Sequence, residues 1–283
     1  MTDEIAPRVT EEEVLRRPGS VPDEQRAYGP GTRRFGDLRL PPGDGPHPVA
    51  VLVHGGCWAD VASLRYMDGL AVDLTRAGWA TWNVEFRRLG DPGGGWPATF
   101  RDVAAAADFV RVLARGLPLD LQRVVSIGHS SGGHLALWLA ARHRLDPGTA
   151  LFESTPLRMR GAVALAGIAD LLGFHELPDR SCLGRVEELL GADPASVRDR
   201  VRMASPAELL PLGVRQLLVV GENDRDVPAS HVEAYARRAR AEGDDVRYVE
   251  VAGAGHFEVV APWWPRWREV REPLVSFLAD GPR

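Results

Sequence analysis

The stretch VSIGHSSGGHLALWLA, residues 125–140, decides the fold because it joins a buried strand to a buried helix with almost no connection. The apolar run at 123–127 predicts a strand, and the apolar spacing from 131 to 143 predicts a helix. Ser130 lies in the joint, between Gly128 and Gly132. In so short a joint the serine must adopt a strained backbone conformation, and the two glycines must lack side chains because the strand and the helix press together there.

Strands and helices alternate on both sides of this joint. The predicted strands are rich in valine, alanine and leucine and show no polar alternation, so we expect them to be buried on both faces of a mostly parallel sheet that helices cover on both sides. The predicted strands are 33–41, 49–53, 79–86, 123–127, 161–167, 215–221 and 246–251. The predicted helices are 63–78, 98–116, 131–143, 228–243 and 266–280, the last interrupted at Pro273.

The alternation is broken once, at residues 171–213, where two or three short helices are predicted between prolines and glycines. We expect this segment to be a cap-like insertion on a single α/β domain that spans residues 31–283. Residues 1–30 are polar with scattered proline and glycine, and we expect an arm that is partly ordered or draped over the domain.

The composition is that of a globular protein: 283 residues, of which 45% are hydrophobic and 26% charged. A net charge of -5 argues against nucleic acid as a partner, and the small-molecule substrate that we expect follows from the motifs described below. No apolar run is long enough for a membrane span, and the charged N-terminal twenty residues do not resemble a signal peptide. Cys57 and Cys182 are too few for a disulfide framework, so a reducing, cytoplasmic location is expected. The sequence leaves the oligomeric state open.

Residues 128–132, GHSSG, match the G-x-S-x-G pattern of the nucleophile elbow, which requires a strand before it and a helix after it. A serine hydroxyl is a weak nucleophile without a base, and in this motif an acid and then a histidine follow in the chain. His256 lies in a glycine-rich loop after the last predicted strand and is the expected base. Asp224 follows the strand at 215–221 and is the expected acid, with Asp226 and Asp170 as alternatives.

A second glycine-containing loop, HGGCW at residues 54–58, follows the first strong strand. Loops of this kind present backbone N–H groups to the oxygen that becomes negatively charged during acyl transfer. We expect the amides of Gly56, Cys57 and Ser131 to form this oxyanion hole, and Cys57 to be a small buried side chain without a reaction of its own.

The four segments HGGCW, GHSSGGHLALWLAAR, GENDRDVP and GAGHF together resemble the α/β-hydrolase group that holds kynurenine-formamidase-like and small-ester carboxylesterases. The resemblance implies an α/β-hydrolase fold, with Ser130 as nucleophile, Asp224 as acid and His256 as base. It also assigns oxyanion amides to Gly56 and Cys57. This chain departs from the group at Ser131, where alanine is common.

These residues predict a carboxylesterase that acts through an acyl-enzyme and needs neither a metal nor an organic cofactor. An arylformamidase would use the same groups and is the alternative. A non-catalytic binding protein is less favoured because all three triad residues are present. Apolar side chains are expected to line the pocket, unless they pack the insertion onto the domain: Trp58, Phe174, Leu177 and Leu183.

Overall fold

The computed structural model describes residues 8–17, 19–177, 182, 184–191 and 194–279. In this part of the chain, eight strands form one sheet in the order β1-β2-β4-β3-β5-β6-β7-β8. Strands β3 to β8 run parallel to one another, whereas β2 runs antiparallel to both of its neighbours, β1 at the edge and β4. The strands are β1 (Glu24–Ala27), β2 (Phe35–Arg39), β3 (His47–Val53), β4 (Ala80–Val84), β5 (Leu119–His129), β6 (Gly161–Leu165), β7 (Arg215–Gly221) and β8 (Val246–Val251).

The helices follow the strands in the predicted alternation. None of the described helices is long and apolar enough to cross a bilayer. They are α1 (Glu11–Arg16), α2 (Asp68–Arg76), α3 (Ala98–Asp108), α4 (Val110–Leu113), α5 (Ser131–Ala141), α6 (Leu171–His175), α7 (Arg185–Leu190), α8 (Pro194–Ala204), α9 (Ala229–Ala241) and α10 (Arg268–Ala279).

Helices cover both faces of the sheet, and each face has its own hydrophobic core. Successive residues of β3 show the division, because Val51 and Val53 belong to one core and Ala50 and Leu52 to the other. The first core includes residues of α3, α5 and α9, and the second includes residues of α2 and α10. Side chains on a strand alternate between the two faces, so continuous apolar runs are what a sheet covered on both sides requires.

Several elements differ from the sequence expectation. The predicted helix 98–116 is divided into α3 and α4, and the predicted arm contains α1. Residues 24–27 of the predicted arm form an edge strand, β1, which pairs with β2. Helix α10 continues through Pro273, where an interruption was predicted. The proline removes one helical N–H, but Val270 and Leu274 on either side of it are fully buried against the sheet, and this burial outweighs the lost hydrogen bond.

The joint between β5 and α5 leaves no room for side chains at its two glycines. A Cβ atom at Gly128 would overlap the carbonyl of Gly132, and one at Gly132 would overlap the carbonyls of Val53 and His54. The end of β3 therefore lies directly against the first turn of α5. This contact brings the loop after β3 next to Ser130.

Gly132→Ala is expected to destabilise the fold by more than about 3 kcal/mol, because the end of β3 must move to admit the methyl group. Urea unfolding measures the effect. Gly116→Ala is the matched control, since a Cβ there meets nothing within 4 Å, and it should change the free energy of unfolding by less than about 1 kcal/mol. Equal unfolding midpoints for the two variants would contradict the close approach.

Candidate active site

Ser130 occupies the turn between β5 and α5 with a strained backbone. Its φ of 55° and ψ of -124° are unusual for a residue with a side chain, and such conformations cost on the order of 1–3 kcal/mol. Its amide donates a hydrogen bond to the carbonyl of Leu165 at 2.9 Å, and its carbonyl accepts one from the amide of His134 at 3.2 Å. These bonds fix the turn to the end of β6 and to the first turn of α5.

His256 and Asp224 are brought together from two loops at the carboxyl ends of β7 and β8. The Nδ1 atom of His256 lies 2.8 Å from Oδ2 of Asp224, and both side chains are buried. An ionised carboxylate can only accept, so Nδ1 carries the proton and Nε2 is left with its lone pair. The other oxygen of Asp224 accepts the amides of Asp226 and Val227 at 2.9 and 2.8 Å, which fixes the carboxylate.

The two alternative acids, Asp226 and Asp170, have other positions and other partners. Asp226 is half-buried and lines the cavity that contains Ser130, but its side chain does not take the place of Asp224 beside Nδ1. Asp170 caps α6 by accepting the amides of Leu172 and Gly173 at 3.1 and 3.2 Å. Only Asp224, of the three candidates, is bonded to His256.

A second histidine holds the backbone of the His256 loop. Nε2 of His129 lies 2.8 Å from the carbonyl oxygen of His256, so this nitrogen must donate. Its Nδ1 must then accept, and the Tyr66 hydroxyl donates to it at 2.7 Å. Complete burial drives the pKa of His129 well below its usual value, with a further lowering from His256 nearby, so the ring stays neutral.

The charges around His256 favour its protonated form. Burial alone would lower the pKa of His256, but the hydrogen bond and the charge of Asp224 outweigh burial, and the charges of Asp226 and Glu11 add to them. The net result is a pKa above the usual value of 6.5.

The loop after β3 is also strained. Cys57 and Trp58 both have positive φ angles, 52° and 56°. The Ser131 hydroxyl accepts the amide of Trp58 at 3.2 Å, and the indole of Trp58 donates to Nδ1 of His134 at 3.1 Å. Nε2 of His134 in turn lies 2.9 Å from the carbonyl of Ala204. Ser131, where the resembled group commonly has alanine, thus connects this loop to the Ser130 turn.

Cys57 is not the small buried side chain that was expected, because it is half-buried and its sulfur is oxidised. Cys57 and Cys182 form a disulfide across 125 positions of sequence, with their Cα atoms 5.3 Å apart. Spacing could not reveal the bond, because only the folded insertion brings Cys182 over the loop after β3. The disulfide ties the insertion to the loop in which Cys57 lies.

Ser130, His256, Gly56 and Cys57 line one cavity of about 300 Å³. The remaining wall is partly apolar and partly charged. It consists of Glu11, Ala59, Val61, Tyr66, Arg185, Asp226 and Phe257.

The predicted apolar pocket residues do not form this wall. Trp58 is 1% exposed and packs edge-on against His134, and Phe174 is 2% exposed and packs against His231. Leu177 is half-buried against the same core. Leu183 lies outside the described residues. Phe174 and Leu177 fit the alternative that was left open, in which these side chains pack the insertion onto the domain. Trp58 points into the core, where its indole donates to His134.

Several lining residues were missed by the sequence analysis. Phe257 follows His256 directly and could have been found from that position. Glu11, Tyr66 and Arg185 come from α1, from the turn before α2 and from α7. No motif marks them, because their place in the wall depends on where three separate segments pack.

The described residues bring one group of possible metal ligands together, the side chains of Asp224, Asp226 and His256. The ring nitrogen of His256 that faces the carboxylates already donates to Asp224, so the geometry is that of a hydrogen-bonded pair.

Comparison with known proteins gives a consistent picture. A family model described as BD-FAE matches residues 37–238. Esterase LipC of Mycobacterium tuberculosis is 27% identical over 226 residues, which cover 75% of this chain and 53% of LipC. Esterase LipQ of the same organism is 27% identical over 259 residues, covering 89% of this chain and 60% of LipQ. The chain therefore spans a little over half of the length of these relatives.

Solved structures agree on the fold. A truncated form of a carbohydrate esterase from gut microbiota has a TM-score of 0.76 at 20% identity, covering 92% of this chain and 97% of its own. Thermogutta terrifontis esterase 2, phosphonylated by sarin, has a TM-score of 0.76 at 21% identity, covering 93% and 97%. The predicted α/β-hydrolase fold is confirmed.

Cys182→Ser is expected to lower the free energy of unfolding by about 2–4 kcal/mol, because the disulfide closes a long loop of the unfolded chain. Urea unfolding with and without dithiothreitol measures the effect. The reductant should bring the wild type to the stability of the variant and leave the variant unchanged. A wild type that reductant does not affect under unfolding conditions would contradict the disulfide.

Proposed function

Because the chain belongs to the BD-FAE family, we propose that it is a serine hydrolase that cleaves a small carboxylic ester through Ser130, His256 and Asp224. The observation that carries the proposal is the 2.8 Å bond between His256 and Asp224, with Ser130 on the same cavity. The names of the relatives LipC and LipQ, both esterases, support ester bonds as the substrate class.

In the proposed reaction, the Ser130 hydroxyl attacks the carbonyl carbon of the ester while Nε2 of His256 takes its proton. Asp224 holds Nδ1–H and stabilises the imidazolium ion that forms. His256 then protonates the leaving alcohol, and the acyl group remains on Ser130. Water, deprotonated by His256, attacks the acyl-enzyme, and His256 then returns this proton to the Ser130 oxygen as the carboxylic acid leaves.

The oxyanion of each tetrahedral intermediate is assigned to the amides of Gly56, Cys57 and Ser131. Ser131 begins α5, whose N-terminal N–H groups have no partner within the helix. The backbone at Gly56 and Cys57 has positive φ angles, 104° and 52°. This turn supports the proposal that the loop directs its amides towards the oxyanion. Fixed donors of this kind need no rearrangement as the charge develops, and each is worth about 2.7–4 kcal/mol.

A cavity of about 300 Å³ favours a small ester. The arylformamidase alternative would use the same groups, and neither the matched family nor the named relatives give it support. The kinetic comparison is direct: p-nitrophenyl acetate, butyrate and octanoate against N-formylkynurenine, at equal enzyme concentration. A kcat/KM on N-formylkynurenine above that on every ester would replace the ester proposal by the alternative.

No cofactor enters the proposed reaction, and the proposed partner is the small-molecule substrate alone. The cytoplasmic location stays a prediction, and the disulfide between Cys57 and Cys182 argues against it because cytoplasmic thiols keep cysteines reduced. Alkylation of free thiols at the moment of cell lysis, followed by intact mass, reads the state of this pair directly.

Ser130→Ala should lower kcat at least about a thousandfold, because alanine has no nucleophilic hydroxyl. The fold should be retained, because alanine is smaller than serine. A fluorophosphonate probe should label the wild type and not this variant. Ser154→Ala, a change of the same kind at an exposed serine, is the control and should leave rate and labelling unchanged. Activity of S130A within tenfold of the wild type would assign the nucleophile elsewhere.

The rate should rise with pH along a limb whose midpoint lies above 6.5, because His256 acts as a base only when neutral and its pKa is raised. Asp226→Asn removes a negative charge that favours the imidazolium ion, so the pKa falls and the limb moves to lower pH. The profile of kcat/KM between pH 5 and 9 tests both statements. A limb below 6.5 in the wild type, or one that D226N moves upward, would contradict them.

A further inference from the structure

A buried carboxylate stands between the N-terminal segment and the loop of the proposed base. Glu258 is 2% exposed and lies two residues after His256. Its Oε1 accepts the amide of Val9 at 2.7 Å, and its Oε2 accepts the amide of Gly255 at 2.9 Å. One side chain thus holds a residue 249 positions away in sequence and the residue that directly precedes His256.

The segment that Glu258 holds is docked at two further points. Val14 is 1% exposed and shares the second core with Tyr66. The guanidinium of Arg17 lies 4.8 Å from the ring centroid of Trp263. Residues 9–17 therefore cross the face of the molecule in a fixed path, with Val9 tied to the His256 loop at one end.

This path brings Glu11 into the cavity wall beside Ser130 and His256. The carboxylate is close enough to raise the pKa of His256, together with the larger effects of Asp224 and Asp226. Two other titratable groups near the ring are His129, which packs against it at 4.6 Å between centroids, and Tyr66, whose hydroxyl donates to His129. Arg185 faces the same cavity from α7 and is paired with Glu188.

Resting on the function proposed above, we propose that Glu258 is a positioning residue that docks residues 9–17 onto the active site and thereby makes Glu11 part of its wall. Each carboxylate oxygen of Glu258 accepts one of these two amides. Replacement by glutamine puts an amide NH₂ against one of the two N–H donors, so one of the bonds is lost and the coupling between the segment and the His256 loop is broken.

The first measurement is hydrogen exchange of the peptide that contains residues 9–17, which needs no substrate. Glu258→Gln should increase its exchange, because the buried amide NH₂ meets the N–H of Val9 in one orientation and that of Gly255 in the other, and either one destabilises the contact between the segment and the loop. Glu222→Gln is the matched control, because Glu222 also accepts a backbone amide of the same loop, that of Gly253 at 2.8 Å, but is exposed and is not the side chain that binds Val9. Equal protection in E258Q and in the wild type would overturn the docking role.

The second measurement is a double-mutant cycle on the pH profile of kcat/KM. Glu11→Gln removes a negative charge near His256, so the acidic limb should move to lower pH in the wild-type background. In the E258Q background, where Glu11 is no longer held in the wall, E11Q should move the limb little. E258Q should also lower kcat by about tenfold and change KM less, because the variant displaces the base, His256, more than it changes the wall that binds the substrate.

The outcomes separate the two proposals. A wild-type enzyme without ester hydrolysis and without probe labelling contradicts the proposed function, while hydrogen exchange still decides the docking role of Glu258. An active enzyme in which E11Q moves the limb equally in both backgrounds overturns the coupling between Glu258 and Glu11 and leaves the proposed function in place.

Discussion

The close approach of the β5–α5 turn to the end of β3 is the constraint on which the rest of the site depends. Backbone meets backbone at Gly128 and Gly132, so the first turn of α5 rests on the carbonyls of Val53 and His54. This contact sets the position of Ser130 at the top of the sheet. It also brings the loop that follows β3 close to Ser130, because that loop begins directly after the residues that contact α5.

Two strained segments face each other across this contact, and each stabilises the other. Ser130 has a positive φ, and so do Cys57 and Trp58 in the opposite loop. Such conformations persist only when several bonds fix them. Here the Ser131 hydroxyl, the His134 ring and the disulfide from Cys57 supply those bonds. The oxyanion amides of the proposed reaction are therefore positioned in part by Ser131 and His134, whose side chains do not line the cavity.

The loop of His256 is held in a comparable way from three directions. Asp224 binds its ring, His129 binds its carbonyl, and Glu258 binds the amide of the preceding glycine. Proximity of a base to a nucleophile accelerates a reaction only when the geometry is maintained, and each of these bonds restricts a different degree of freedom. The N-terminal segment enters this arrangement through Glu258, which joins the first described residues of the chain to a loop near its end.

The sequence by itself determined the order of strands and helices, the turn at Ser130, and the positions of Asp224 and His256 after their strands. These features follow from local rules: buried parallel strands need continuous apolar runs, and a strand-to-helix joint this short needs glycines. The sequence already favoured Asp224 over Asp226 and Asp170 by its position after the strand, and the structure adds the 2.8 Å contact with His256 that only Asp224 of the three makes. The disulfide, the inward position of Trp58, the uninterrupted helix at Pro273 and the arrival of Glu11 in the cavity were decided by tertiary structure alone. Each depends on which distant segments pack together, and no pattern along the chain records that.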